Sequence, residues 1–216
     1  MKIGILFDLD GTLLDTLEDL TDGVNYALRQ YNLPEHTLEE IRSYLGNGAR
    51  KLIARSLPGK PNDPPVDAVL KTYQDYYAIH SQDKTGPYPG ILEALAQLKQ
   101  KYPIAIVSNK HDTAVQSLCR DYFGEDIFAL GERADCPRKP APDMLLKAMA
   151  AIGVEKGIYV GDSDVDVLTA KNAQMPCLSV LWGFRDKDCI TAAGGSCFCD
   201  DPKKLVSALE EIAQEL

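Results

Sequence analysis

Four apolar runs recur along the chain and constrain its fold more than any other feature. They read KIGILF at residues 2–7, PIAIVS at 103–108, GIYVG at 157–161 and PCLSVLW at 176–182. The runs are nearly continuous rather than alternating, which is typical of strands buried on both faces of a parallel sheet. Helical patterns lie between them. The alternation predicts an α/β fold with a doubly wound, Rossmann-like parallel sheet.

One long segment interrupts this alternation directly after the first strand. Thr16, followed three residues later by Asp19, is typical of a helix start, and helical spacing continues to about His80. A connection of this length is too long for a simple α/β crossover. We therefore expect a small helical cap domain at residues 15–84, inserted into a core domain formed by residues 1–14 and 85–216.

Composition and charge exclude several classes of function. The 216 residues are 45% hydrophobic and 25% charged, as in ordinary globular proteins. Lysine and arginine number 23 against 32 acidic residues, a net charge of −9 that argues against nonspecific binding to nucleic acid or to anionic membranes. The first apolar run is too short for a secretory signal or a membrane span. We expect a soluble cytoplasmic protein, either a monomer or a homodimer.

The six cysteines carry no metal or redox motif. None of them has CxxC spacing, and the three histidines are scattered along the chain. Reduced thiols are the favoured interpretation, and the Cys-Phe-Cys at residues 197–199 is read as a strand edge.

Polar side chains follow the predicted strands at one edge of the sheet. Ligand sites of open parallel sheets lie outside the carboxyl ends of the strands. The residues that reach this edge are Asp8 and Asp10, Ser108 with Asn109 and Lys110, Lys139, and Asp162 with Asp166. Ionised carboxylates brought together in a partly buried site repel each other unless a cation or a shared proton intervenes, and ligands that are all oxygen suggest Mg²⁺. Such a metal, with Ser108 and Lys139 beside it, makes a positively charged binding site for a phosphoryl group.

Four short motifs resemble a known family. DLDGT at residues 8–12, VSN at 107–109, RKPAPD at 138–143 and GDSDVD at 161–166 resemble the ordered motifs of the haloacid dehalogenase superfamily, in particular its phosphatases with a small helical cap. The segment WGFRD at 182–186 is similar to one common in the phosphoglycolate phosphatase-like branch. The resemblance covers nearly the whole chain and implies a phosphatase acting on a small phosphorylated metabolite.

The resemblance also implies roles for the acidic residues. Asp8 would be the nucleophile that forms an aspartyl phosphate, and Asp10 the general acid and base. The Asp8 carboxylate, the Asp10 main-chain carbonyl and Asp162 would hold Mg²⁺. Asp166 would mainly contact the groups that surround the metal, rather than coordinate the metal itself.

The remaining residues of the motifs would bind the phosphoryl group and the substrate. Ser108 would contact a phosphoryl oxygen, and Lys139 would neutralise charge between the nucleophile and the phosphate. Gly11 and Thr12 would shape the loop around the phosphate. The other substrate-binding residues predicted at this edge are Asn109 and Lys110.

Each of these residues has a simpler interpretation when it is taken alone. An isolated aspartate pair is more often a turn, and Ser108 with Asn109 could begin a helix. Lys139 alone would usually be a solvated charge, and Asp166 could be a helix N-terminal acid. Their ordered placement at strand ends favours the catalytic interpretation.

The predicted cap contains one further candidate. YLGNGARKL at residues 44–52 places Asn47 between glycines and ahead of Arg50 and Lys51. In enzymes of this kind such a loop contacts the leaving group of the substrate. A helix-to-helix turn with two solvated basic residues explains the pattern equally well.

Other functions stay open at this point. A phosphosugar mutase or a pyrophosphatase of the same superfamily would share the aspartate pair. A dehalogenase does not need an acid at the position of Asp10. A phospho-aspartate signalling module would not need the long insert. A binding protein without catalytic activity would be free to lose catalytic residues, and none has been lost here. Phosphoglycolate, pyrophosphate, a nucleoside monophosphate and a sugar phosphate all fit as substrates.

Overall fold

The chain divides into two compact units. A computed structural model describes residues 2–60 and 62–216. The larger unit comprises the chain up to Leu14 and from Pro87 to Leu216, and the smaller unit is Asp15–Gly86. That residues 15–84 form a cap domain inserted into a separate core domain stays a prediction. No helix within the described ranges is long and apolar enough to cross a membrane.

Within the described residues, eight strands form two sheets, and the strands are numbered in chain order. The strands are β1 Ile3–Phe7, β2 Leu14–Asp15, β3 Gly86–Pro87, β4 Ile104–His111, β5 Phe128–Glu132, β6 Lys156–Gly161, β7 Cys177–Val180 and β8 Cys197–Cys199. Six of them form a parallel sheet in the order β5-β4-β1-β6-β7-β8. The short β2 and β3 pair with each other. The predicted α/β fold with a parallel sheet is confirmed.

Ten α-helices accompany these strands in the part of the chain that the structure describes. They are α1 Leu17–Gln30, α2 Leu38–Tyr44, α3 Ala49–Ser56, α4 Val66–His80, α5 Ile91–Leu98, α6 Asp112–Phe123, α7 Asp143–Ile152, α8 Asp164–Asn172, α9 Lys187–Ala192 and α10 Leu205–Gln214. A short 3-10 turn at Pro202–Lys204 precedes the last of them. The sequence analysis did not anticipate α9, which spans only six residues.

Both faces of the large sheet are covered, which explains the unbroken apolar runs. Along β1, Ile5 and Phe7 belong to one core cluster, whereas Leu6 belongs to the other. The first cluster includes residues of α5, α6 and α10, and the second includes residues of α7 and α8. Because alternate side chains of a strand point to opposite faces, a strand between two layers of helices must be apolar at every position.

The start of α1 differs in detail from the prediction. The helix begins at Leu17 with Thr16 as N-cap, but the Thr16 side chain makes no capping hydrogen bond. The carboxylate of Asp19 instead accepts hydrogen bonds from the backbone N–H groups of Lys84 and Thr85, at 3.1 and 2.8 Å. Asp19 is 2% exposed. It therefore ties the first helix of the smaller unit to the segment that ends this unit, instead of capping the helix.

Replacing Asp19 with alanine should destabilise the smaller unit. The change leaves two backbone N–H groups without their acceptor, which typically costs about 1 to 3 kcal/mol. The free energy of unfolding in urea measures the loss. Asp22→Ala is the matched control, because Asp22 lies on the same helix and pairs with the exposed ammonium of Lys84 at 2.7 Å. Such a surface pair contributes about 1 kcal/mol or less. Equal losses in the two variants would contradict this role of Asp19.

Candidate active site

The predicted polar residues converge at the carboxyl edge of the large sheet. Asp8 directly follows β1, Ser108 lies within β4, and Asp162 directly follows β6. Lys139 comes from the loop between β5 and α7, and Asp166 from the first turn of α8. All five residues are buried, with at most 8% of their surface exposed. The parallel order of the strands produces this convergence, because all the strands end at the same edge.

Three of these side chains form an acidic cluster. Carboxylate oxygens of Asp8, Asp162 and Asp166 lie within 4.8 Å of one another. Burial and the charge of Asp166 raise the pKa of Asp8 well above its ordinary value, although Lys139 acts in the opposite direction. Burial, again with Asp166, raises the pKa of Asp162 to about 7. Both carboxyl groups are therefore more easily protonated than an ordinary aspartate, chiefly because burial disfavours their negative charge.

The ammonium group of Lys139 lies inside this cluster. Its Nζ atom is 2.8 Å from the Oδ1 atoms of both Asp8 and Asp166, and it donates to the hydroxyl of Tyr159 at 2.8 Å. Burial alone would lower the pKa of Lys139, but Asp166 and Asp8 outweigh it and hold the pKa above the ordinary value. Lys139 is therefore a fixed positive charge beside the predicted nucleophile.

Asn109 holds the backbone of Lys139 in place. Its side-chain amide donates to the Lys139 carbonyl at 3.0 Å and accepts from the Lys139 N–H at 2.9 Å. This reciprocal pair fixes the loop after β5 against β4. Ser108, its neighbour, accepts from the backbone N–H of Lys110 at 3.2 Å through Oγ. The predicted contacts of Asn109 and Ser108 with substrate stay predictions.

Asp10 lies closer to solvent than Asp8 and has a lysine partner. Its Oδ1 accepts from Lys110 Nζ at 2.8 Å, and both side chains are less than one-fifth exposed. Between Asp10 and Thr12, Gly11 has a φ of +81°, and a Cβ atom there would overlap with the Asp162 carboxylate. Only glycine lets the backbone turn this close to that group.

A segment after β7 supports the side of the site that contains Thr12 and Asp162. The indole of Trp182 donates to the Thr12 carbonyl at 3.0 Å, and the Phe184 N–H donates to Asp162 Oδ2 at 2.6 Å. Between them, Gly183 lies so close to Gly11 and Asp162 that a side chain would not fit. Thr12 also donates to Asp162 Oδ1 at 3.3 Å. The sequence analysis noted this segment only through its resemblance and gave it no role.

The carboxylate of Asp166 is fully engaged by the protein. Its Oδ1 accepts from Lys139 and from Tyr159, the latter at 2.9 Å. Its Oδ2 accepts from the N–H and the hydroxyl of Ser163, at 3.1 and 2.6 Å, in a capping box that begins α8. A carboxylate offers about four acceptor positions. Asp166 is thus both a helix N-terminal acid and the anchor of Lys139.

The donor set fits a divalent cation. Three buried carboxylates against one ammonium leave two excess negative charges when all four groups are ionised. Carboxylate oxygens are the ligands that Mg²⁺ prefers. Asp8 and Asp162 have acceptor capacity to offer a metal, whereas Asp166 has little left.

The basic residues predicted in the insert lie in the smaller unit. Arg50 forms an ion pair with Asp67 at 3.1 Å, and Lys51 is exposed. Asn47 accepts from Arg55, which also donates to the Tyr44 carbonyl at 2.6 Å. Arg55, which the sequence analysis did not consider, therefore holds the loop that precedes α3. The predicted substrate contacts of Asn47, Arg50 and Lys51 remain predictions.

Known proteins resemble this chain in sequence and in fold. The family model of haloacid dehalogenase-like hydrolases matches residues 5–180. A phosphoglycolate phosphatase of Mesorhizobium japonicum is 34% identical over 198 residues, which cover 85% of this chain and 84% of the relative. A phosphoglycolate phosphatase of Aquifex aeolicus is 33% identical over 192 residues, covering 83% and 85%.

Solved structures agree with these matches. A crystal structure from Lactobacillus delbrueckii subsp. bulgaricus, named as a candidate phosphoglycolate phosphatase, superposes with a TM-score of 0.87 at 36% identity. The superposition covers 95% of this chain and 97% of that one. The family match spans the strand ends that carry the acidic cluster and Lys139. This chain therefore belongs to the haloacid dehalogenase-like hydrolases.

Proposed function

We propose that the protein is a Mg²⁺-dependent phosphatase that hydrolyses phosphoglycolate or a closely similar small phosphomonoester through an aspartyl phosphate. The observation that carries the proposal is the buried cluster of Asp8, Asp162 and Asp166 around the ammonium of Lys139. Such a centre suits an anion with several oxygens held beside a nucleophilic carboxylate. The names of the relatives support phosphoglycolate as the substrate.

The first half of the reaction would transfer the phosphoryl group to Asp8. One Asp8 oxygen attacks phosphorus in line, and the bond from phosphorus to the ester oxygen breaks. Asp8 Oδ1 is held by the Leu9 N–H at 2.7 Å and by Lys139, which limits rotation of the carboxylate. Lys139 offsets the negative charge of nucleophile and phosphate, and Asp10 gives a proton to the departing oxygen.

The second half would release phosphate and restore the enzyme. Asp10, now ionised, takes a proton from a water molecule, and the resulting oxygen attacks phosphorus and breaks its bond to Asp8. The contact with Lys110 holds the Asp10 side chain in one orientation for both proton transfers. Asp8 and Asp162 with the Asp10 carbonyl would hold Mg²⁺, which when bound supplies further positive charge beside the phosphoryl group.

Metal binding should raise thermal stability. At free Mg²⁺ about a hundredfold above its dissociation constant, we expect Tm to rise by roughly 5 to 10 °C for a chain of this size. Differential scanning fluorimetry after treatment with EDTA, with and without Mg²⁺, measures the shift. Asp162→Asn should lose most of it. Asp164→Asn is the control, because Asp164, the first residue of α8, lies two residues after Asp162 and is not among the clustered carboxylates. A full shift in Asp162→Asn would contradict the assigned metal ligand.

Turnover of phosphoglycolate tests the proposal directly. The unmutated protein with Mg²⁺ should release phosphate over many cycles, and Asp8→Asn should abolish release, because an amide does not attack phosphorus. Asp126→Asn, a change at an exposed acid that pairs with Lys99, should leave the rate unaltered. More than trace activity in freshly prepared Asp8→Asn would exclude Asp8 as nucleophile. An unmutated protein that hydrolyses no phosphomonoester in a metabolite panel would overturn the function itself.

The role of Asp10 should show in a comparison of leaving groups. Asp10→Asn removes the proton donor, so hydrolysis of an alkyl phosphate should fall by about a hundredfold or more. p-Nitrophenolate leaves with less need of a proton, and its phosphate ester should lose considerably less. Steady-state kcat/KM for the two substrates gives the ratio. Equal losses would show that Asp10 does not act as the general acid.

A further inference from the structure

Tyr159 places a hydroxyl group where the surrounding core is otherwise apolar. It lies in the middle of β6, has no exposed surface, and belongs to the cluster that contains Leu6, Val107 and Leu145. A buried hydroxyl costs free energy unless it is hydrogen-bonded, and phenylalanine would fill the same space without that cost. The hydroxyl therefore needs an explanation from its contacts.

The Tyr159 hydroxyl links the two charged groups behind the predicted nucleophile. It accepts from Lys139 Nζ at 2.8 Å and donates to Asp166 Oδ1 at 2.9 Å. Burial, together with the charges of Asp166 and Asp8, raises the pKa of Tyr159 well above its ordinary value. The phenol thus stays protonated and keeps its donor for Asp166.

The Lys139 ammonium has as many acceptors as it has N–H groups. The three are Asp8 Oδ1, Asp166 Oδ1 and the Tyr159 hydroxyl, each 2.8 Å from Nζ. With only two acceptors the ammonium could pivot about the line that joins them. The third acceptor lies off that line, because three different atoms at the same distance from Nζ cannot be collinear. It therefore prevents the ammonium from rotating about the line. The long lysine side chain is otherwise flexible.

We propose that Tyr159 is a positioning residue that holds the ammonium group of Lys139 against Asp8, so that its positive charge stays beside the phosphoryl group being transferred. The inference rests on the proposed phosphatase function and adds to it a residue outside the four motifs. The hydroxyl touches no reacting atom and acts through Lys139. The hydroxyl is most important at the transfer step, because charge then develops on the phosphoryl oxygens. A displaced ammonium group would stabilise that charge less.

The substitution Tyr159→Phe removes the hydroxyl and keeps the ring. We expect kcat to fall about ten- to a hundredfold, as for the loss of a hydrogen bond to a charged group, while KM changes less than about twofold. Inhibition by orthovanadate, which resembles the transfer step, should weaken by a similar factor, and inhibition by inorganic phosphate should barely change. Tyr102→Phe is the control, because Tyr102 packs against the other core cluster.

A double-mutant cycle with Lys139→Ala separates positioning from general support of the fold. If Tyr159 acts through Lys139, adding Tyr159→Phe to Lys139→Ala should cause little further loss of kcat. Should Lys139→Ala not fold, the contrast between vanadate and phosphate inhibition decides alone. The inference would be overturned if Tyr159→Phe left kcat unaltered or weakened inhibition by vanadate and by phosphate equally. It would also be overturned if Tyr159→Phe lowered kcat as much in the Lys139→Ala background as in the unmutated protein. An unmutated protein without phosphatase activity would overturn the proposed function as well.

Discussion

The buried ammonium of Lys139 is the interaction on which the rest of the site depends. An isolated charge in a protein interior is very unfavourable, and here the penalty is offset because the carboxylates of Asp8 and Asp166 lie at hydrogen-bond distance. Those two carboxylates come from different parts of the fold, one after β1 and one from α8. The loop after β5 must therefore close against both. A single cation thus couples the packing of three segments to the charge of the site.

Backbone groups hold much of this site together. The Phe184 N–H fixes Asp162, the Leu9 N–H fixes Asp8, and the backbone of Lys139 is held by the Asn109 amide. Main-chain donors belong to strands and turns that are themselves packed, so they move less than side chains on the surface. This arrangement is consistent with a site that holds a phosphoryl group in one orientation.

Sequence patterns predicted the parallel sheet and its acidic edge for a clear physical reason. A strand buried on both faces must be apolar throughout, and its end is where the first polar residue can appear, as Asp8 and Asp162 do. Tyr159 was missed because an aromatic residue within an apolar run looks like any other core residue. The contribution of Phe184 is a backbone N–H, which no side-chain pattern reveals. Asp19 was assigned to a local helix start because its partners, Lys84 and Thr85, lie far along the chain.

The central position of β1 has a consequence for how the protein is made. Ile5 aligns with Ile104 on one side and with Ile158 on the other. During synthesis β1 leaves the ribosome before β4 and β6, and each of its edges stays unpaired until the strand that pairs with it has emerged. The helical segment between β2 and β3 is by then complete. Long-range pairing of this kind folds slowly and exposes apolar edges meanwhile. Asp8 therefore acquires its charged neighbours only after Lys139, Asp162 and Asp166 have been synthesised, and a chain released before that point would lack the acidic centre.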